Sequence, residues 1–396
     1  ALVGLLYSPT VGSIGLVATY VAFIASGEAV ARLKRVVMCP AVYWGAAFLG
    51  VVIAGVTYAS ASWQERWTDV FKWRTILWFI VLFALFDSES WKKRLLFIFL
   101  IGTGIGLVAS FLGVYSGVAL WKAPAALLRN NVTQSMAFAV SSLICLGAAL
   151  SGECLGRWRA ATLLGACLFA GNVFFVSHGR SGYVLFVVGV VVLVMWYTRP
   201  KQWIASFLAL ALLLGGVVVL SPGMQKRLIK GIDEWQHADE LSQETSMGSR
   251  KVFYSHTMEI VARHPVGGVG TGGFKKAYAE QIAGRYDPDD WRSVVTGDPH
   301  NQYLAILVQH GLPGLGVFLI WLVAVGRTRE GMPIYRGLAL AILCGWCATS
   351  LFSSHFRTFA EGHLVTTFLG ALLAPGRPNN GDGFAMFDCP ERQATK

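Results

Sequence analysis

The chain has 396 residues, of which 55% are hydrophobic and only 14% charged, too apolar for the two or three soluble domains its length would otherwise allow. A net charge of +11 would point a soluble protein toward nucleic acid. Here much of the Lys and Arg sits in short clusters between apolar runs, so no nucleic-acid partner is implied and the clusters report orientation in a membrane.

The apolar runs are about 15 to 22 residues long, the length an α-helix needs to cross roughly 30 Å of hydrocarbon at about 1.5 Å per residue. The chain opens on an apolar fragment, Ala1 to Tyr7, too short to span and without a cleavable signal sequence, which reads as a helix trimmed or abbreviated there. Spans follow near 11–31, 39–60, 74–87, 95–115, 133–151, 160–177, 181–198, 203–221, 303–326, 337–352 and 363–375. With the stub, the expected fold is an all-α polytopic membrane protein of about twelve transmembrane helices with one long, partly helical loop. Its expected divisions are an N-terminal bundle (1–221), the long loop (222–302), C-terminal helices (303–375) and a tail (376–396) rich in Gly, Pro and Asn and expected to be disordered.

Short basic loops alternate with the others: Arg32, Lys34 and Arg35; Lys92, Lys93 and Arg94; Arg157 and Arg159; Arg199 and Lys201; Arg327, Arg329 and Arg336. By the positive-inside rule these are cytoplasmic, as is the tail. The same parity puts Trp63 to Arg74, Ser116 to Val132, the turn at Arg180, the long loop and Ser353 to Gly362 on the other face, the periplasm of a bacterial inner membrane.

In the first external loop Trp63, Trp67 and Phe71 recur every four residues beside Arg66, Lys72 and Arg74, the pattern of an interfacial helix; simple aromatic anchoring is the plain alternative. The tight turn His178-Gly179-Arg180-Ser181-Gly182 holds Arg180 at the membrane surface or just within the bundle. An unpaired guanidinium there is costly, and an anionic ligand would offset that cost. A carboxylate is the other choice of partner, for which Glu28 and Glu361 are the obvious candidates. The guanidinium fork suits phosphate oxygens. Arg129, ahead of the span near 133–151, and Arg250, opening a loop helix, read either as further anion ligands or as solvated charges.

The long loop carries its own helical stretches: Met224 to His237 with Leu228, Ile232 and Trp235 on one face, Ser249 to Arg263 closed by Pro265, and Phe274 to Ile282. A folded lid is expected, since structureless loops of that length are uncommon. Gly268-Val269-Gly270-Thr271-Gly272-Gly273 satisfies GxGxxG but follows no strand, and reads as a tight turn bringing backbone close to substrate or membrane. Asp287-Pro288-Asp289 has a metal-binding form but reads as a surface acidic turn, and no metal or other cofactor is expected. Cys344 and Cys347 form a CxxC inside an apolar helix and read as packing residues; none of the seven cysteines falls in the long loop, so no disulfide framework is implied.

The sharpest constellation is Asp298-Pro299-His300-Asn301-Gln302, where the long loop returns to the membrane. Asp298 as N-cap and Pro299 at the first helical position would put His300 in the first turn of the next span, where the helix dipole favours a neutral imidazole fit for general-base work. A polar boundary residue is the plainer reading; in the catalytic one Asn301 is a supporting residue beside His300.

Several segments together resemble the O-antigen ligase and polymerase superfamily of bacterial inner-membrane glycosyltransferases. They are Ser249-Arg250 leading into a helix, His264-Pro265-Val266-Gly267-Gly268 through Phe274, and His300-Asn301-Gln302-Tyr303-Leu304 followed by Gly311-Leu312-Pro313-Gly314. No single piece is specific; their order is. The resemblance implies a GT-C type enzyme using a polyprenyl-diphosphate-linked glycan, with the family's essential histidine falling on His300 and its two arginines on Arg180 and Arg250. Arg66, Arg74 and Arg129 are added from topology alone, as diphosphate ligands on the same face. One large external loop rather than two leans toward a ligase, joining undecaprenyl-diphosphate-linked O-antigen to lipid A-core. A polymerase or a protein O-oligosaccharyltransferase shares the pattern, and a lipid-linked-glycan flippase is the rival from another class.

Overall fold

Inside hydrocarbon every backbone N–H and C=O needs a partner within the chain, and helices meet that need locally. The computed structural model describes residues 1–116, 128, 130–152, 155–177, 179–238 and 243–376, and these residues form helices without a β-strand. In chain order they are α1 (Leu2–Tyr7), α2 (Pro9–Ala25), α3 (Ala29–Val36), α4 (Pro40–Tyr58), α5 (Trp63–Lys72), α6 (Arg74–Leu85), α7 (Glu89–Ser116), α8 (Asn131–Leu150) and α9 (Gly156–Asn172). A π-helical turn (Val173–Ser177) leads to α10 (Arg180–Tyr197), α11 (Pro200–Leu220), α12 (Pro222–Gln236), α13 (Gly248–Arg263), α14 (Phe274–Ile282), α15 (Gln302–Gly326), α16 (Pro333–Thr349) and α17 (Phe359–Leu373). Arg129, the segment 117–127 and the tail from 377 lie outside the described residues.

Among the described residues, seven helices are long and apolar enough to cross a membrane: α4, α7, α8, α9 with its π turn, α10, α11 and α15. An eighth crossing is available if α2 and α3 count as one, but they are bent by 96°. The span expected at 11–31 therefore ends at Ala25: Gly27 takes φ 70 and breaks the helix. The polar α3 that follows is tied by Arg32 to Glu28 (2.8 Å) and Asp87 (3.2 Å). The remaining expected spans correspond to α1, α6, α16 and α17, which are shorter.

The interior is formed by α8 together with the shorter α6, α16 and α17. α17 packs on α6 and α16, α10 on α16 and α8, and α4 on α15. Glycines on α10 permit close approach to α8: a β-carbon at Gly182 or Gly189 would run into Ser135 or Leu143 of α8. In contrast α11 has no buried residue. α5 keeps Trp63, Trp67 and Phe71 exposed, as its four-residue spacing predicts, while its opposite face buries Asp69.

The long loop is sewn down onto the bundle. Val269 and Gly270 donate their N–H groups to the carbonyls of Val308 and Gln309 (2.9 Å each), Thr271 donates N–H to Gly55 O (3.0 Å) and Oγ1 to Val52 O (2.6 Å), and Tyr58 Oη donates to Gly267 O (2.6 Å). The glycine turn thus meets the backbones of α4 and α15. α15 accommodates it by kinking at Gly311 (φ 63, ψ −169), just before Pro313, which frees Leu312 N–H to reach Pro265 O (2.9 Å).

A β-carbon at Gly311 would collide with the Val266 carbonyl, and its φ is one that side chains disfavour. Gly311→Ala is expected to lower stability by at least about 1–3 kcal/mol and to loosen the loop first. Limited trypsinolysis of the purified variant should cut between α12 and α15 faster than in wild type; an unchanged cleavage pattern and melting temperature would contradict this docking.

Candidate active site

Arg180 opens α10 directly after Gly179, whose missing side chain leaves space that Ser135 fills. Its guanidinium lies over Gly231 of α12, where an added β-carbon would stand 3.6 Å from Nη2. Arg250 stands in the first turn of α13, its Nη1 donating to Ser246 Oγ at 3.2 Å. The two arginines line one cavity of about 260 Å³ with Ser181, Met224, Met247 and Phe352. Arg180 Nη1 and Arg250 Nε are buried there without a hydrogen-bond partner. Burial pulls Arg250 below the ordinary guanidinium value, nearby Tyr254 raises it, Arg180 lowers it further, and Glu234 raises it. A desolvated pair of like charges with donors to spare is an anion-binding arrangement.

His300 departs from the expected first-turn position. α15 starts at Gln302, capped by Asn301, whose side-chain oxygen accepts from Tyr303 N (3.0 Å) and Leu304 N (3.1 Å). Asn301 therefore takes the cap expected of Asp298, and His300 lies outside the helix with φ 56, the only non-glycine positive φ among the described residues. Asp298 instead accepts from His300 N–H (2.8 Å) and from Ser354 Oγ (2.7 Å). The exposed imidazole stacks on Phe253 (centroids 6.0 Å apart, planes 24°), and Tyr254 Oη reaches the carbonyls of His300 (3.1 Å) and Leu351 (2.8 Å). A strained backbone held by this many contacts makes His300 a candidate functional position. One turn of α13 thus carries Arg250 into the cavity and Phe253 and Tyr254 onto the histidine.

Arg66 and Arg74 are not brought to this cavity. Arg66 donates to Ala61 O (2.8 Å) and Val56 O (2.9 Å), closing the end of α4, with its guanidinium over Trp63. Arg74 donates to Phe71 O (2.7 Å) and lies over Phe359. Neither of the carboxylates considered for Arg180 reaches it: Glu361 accepts from Thr133 and Glu28 pairs with Arg32. Asp287 and Asp289 are exposed, and no group of three or more His, Cys, Asp or Glu among the described residues is placed to hold a metal.

Two groups went unread in the sequence. Glu234, buried on α12, accepts from Met247 N (3.2 Å) and balances part of the charge of Arg250. His355, 3% exposed, bonds Ser181 Oγ through Nε2 (3.0 Å), linking the segment around Ser354 to the Arg180 turn. A lone histidine between two apolar helices carries no local signal of such a role.

Burial holds the His355 imidazole well below its ordinary value, opposed by Glu361 and Asp298 and assisted by Arg250 and His300. Below about pH 6.5 the unfolded chain then takes up a proton the folded chain refuses. Stability thus rises with pH in this window and falls on acidification. Thermal melts should show wild type losing more between pH 7 and pH 5 than His355→Gln; parallel pH profiles would contradict it.

Residues 165–319 match a family model described as O-antigen ligase, a stretch containing Arg180, Arg250 and His300. No curated protein matches the chain. The family suggests a glycosyltransferase-like membrane enzyme whose partners, in general terms, are a lipid-linked glycan and a lipid acceptor. The match over residues 165–319, together with the ordered motifs and the helical bundle, supports membership in the O-antigen ligase superfamily.

Proposed function

We propose that the protein is an O-antigen ligase, transferring a glycan from undecaprenyl diphosphate to the lipid A-core oligosaccharide at the periplasmic face of the inner membrane. The observation that carries this reading is the cavity in which Arg180 and Arg250 present buried, unpartnered guanidinium nitrogens, with His300 held nearby on the same turn of α13. Two fixed cations without a carboxylate on the cavity wall suit a diphosphate. In this reading the bundle is of the GT-C type with about twelve crossings, to which the shorter α6, α16 and α17 contribute.

The step is a single inverting displacement. The acceptor hydroxyl oxygen bonds to the donor's anomeric carbon as the bond from that carbon to the diphosphate oxygen breaks, and the hydroxyl proton passes to the His300 imidazole. Arg180 and Arg250 stabilise the negative charge growing on the departing undecaprenyl diphosphate, a role that fixed guanidinium groups fill in a partly dry site without a metal. Asn301 supports His300 by capping α15. Arg66 and Arg74 are structural in this scheme, given their backbone bonds. A flippase would need cationic groups along a path through the bilayer; the two cavity arginines instead open α10 and α13.

In proteoliposomes supplied with purified lipid-linked glycan and lipid A-core, His300→Ala is expected to lower transfer by about 10²- to 10⁴-fold, and Arg180→Ala to lower it by a comparable factor, with both variants still inserting. Full activity of His300→Ala would remove the base assignment. Transfer should also persist in excess EDTA; strict dependence on Mn²⁺ would return attention to Asp287 and Asp289.

A further inference from the structure

A second polar cavity, of about 240 Å³, lies between α5 and the docked glycine turn, with Thr68, Asp69, Lys72, Gly272, Gly297 and Gln309 on its wall. Asp69 is 4% exposed, and its Oδ1 accepts from Lys72 Nζ (2.7 Å) and from Arg357. Its Oδ2 has no partner; Arg357 lies behind it and off the cavity wall. Gln309, also buried, accepts from Gly272 N–H through its side-chain oxygen (2.9 Å). Unsatisfied buried polar atoms on a cavity wall are costly unless something bonds them.

The character of this wall differs from that of the arginine cavity. Carboxylates of Asp69 and Glu65 face the ammonium groups of Lys72 and Lys275, a mixed and nearly balanced lining that suits hydroxyls, which both donate and accept, better than a diphosphate. The volume equals about eight waters at roughly 30 Å³ each, the scale of one sugar ring with its hydroxyls. Gly297 ties it to the reacting centre: His300 is three residues on, within about 11 Å at full chain extension. From Gly297 the segment leads to His300, which packs on Phe253 and Tyr254 of the α13 turn that carries Arg250. A transferase needs two substrate sites flanking its base.

We propose that the Asp69 cavity is the subsite for the terminal sugar of the acceptor, a neutral hexose-sized ring held by its hydroxyls. The proposal deepens the ligase reading and rests on it for the word acceptor, while the sugar site itself stands on the cavity.

The test uses the full chain in lipid nanodiscs and, as probe, core oligosaccharide freed of lipid A, with binding followed by saturation-transfer NMR. Thr68→Trp fills the cavity from its exposed rim, and Gly297→Trp does so at a position where an added β-carbon meets nothing within 4 Å. Both should weaken oligosaccharide binding at least about tenfold (roughly 1.4 kcal/mol), while undecaprenyl diphosphate, titrated in parallel, binds as to wild type. Absence of oligosaccharide binding by wild type, or wild-type affinity in both variants, overturns the proposal. A wild-type chain that binds the oligosaccharide here yet transfers no glycan sinks the ligase reading and leaves the sugar site standing.

Discussion

The architecture depends on how the loop between α12 and α15 is fastened to the bundle. Hydrogen bonds from the backbone of residues 269–271 to carbonyls of α4 and α15 fix one end, and the kink at Gly311 makes room for it. Backbone bonds of this kind tolerate little displacement, because each leaves a buried polar group if broken. The fastening sets the position of α13, and α13 in turn sets Arg250, Phe253 and Tyr254. The geometry of the candidate site is therefore a consequence of loop docking, with Arg180 supplied by the bundle beneath.

That division accounts for the character of the two cavities. One is walled by α10, α12, α13 and α16 and carries only cationic charge; the other is walled by α5, the glycine turn and α15 and carries both signs. The loop contributes to both: Gly297 lines the second, and His300, three residues on, packs on the turn of α13 that carries Arg250. Residues 353–356 brace the junction from the far side: Ser354 bonds Asp298, His355 bonds Ser181, and Phe356 N–H donates to Gln302 Oε1 (3.1 Å). This brace lies beyond the region matched by the family model, which ends at residue 319.

The sequence by itself determined the class of fold. Long apolar runs separated by charges admit only membrane-crossing helices, and the helices of the loop followed from their periodicity and from Pro265; the predicted stretch Phe274 to Ile282 is the observed α14. Arg180, Arg250 and His300 were legible through ordered motifs, each beside a glycine, proline or cap that local rules interpret. The break at Gly27 was missed because a glycine in an apolar run also fits an unbroken span, and the cap at Asn301 because Asp298 and Pro299 offered an equally regular start. Only the tertiary structure decided which arginines meet. Arg66 and Arg74 share a face with the others in any topology diagram, yet their guanidinium groups bond backbone carbonyls of nearby residues. His355, Glu234 and the buried Asp69–Arg357 pair join partners up to 288 positions apart in the chain. Helical spacing reports neighbours three or four residues away, whereas contacts between distant helices are set by packing, which no local pattern encodes.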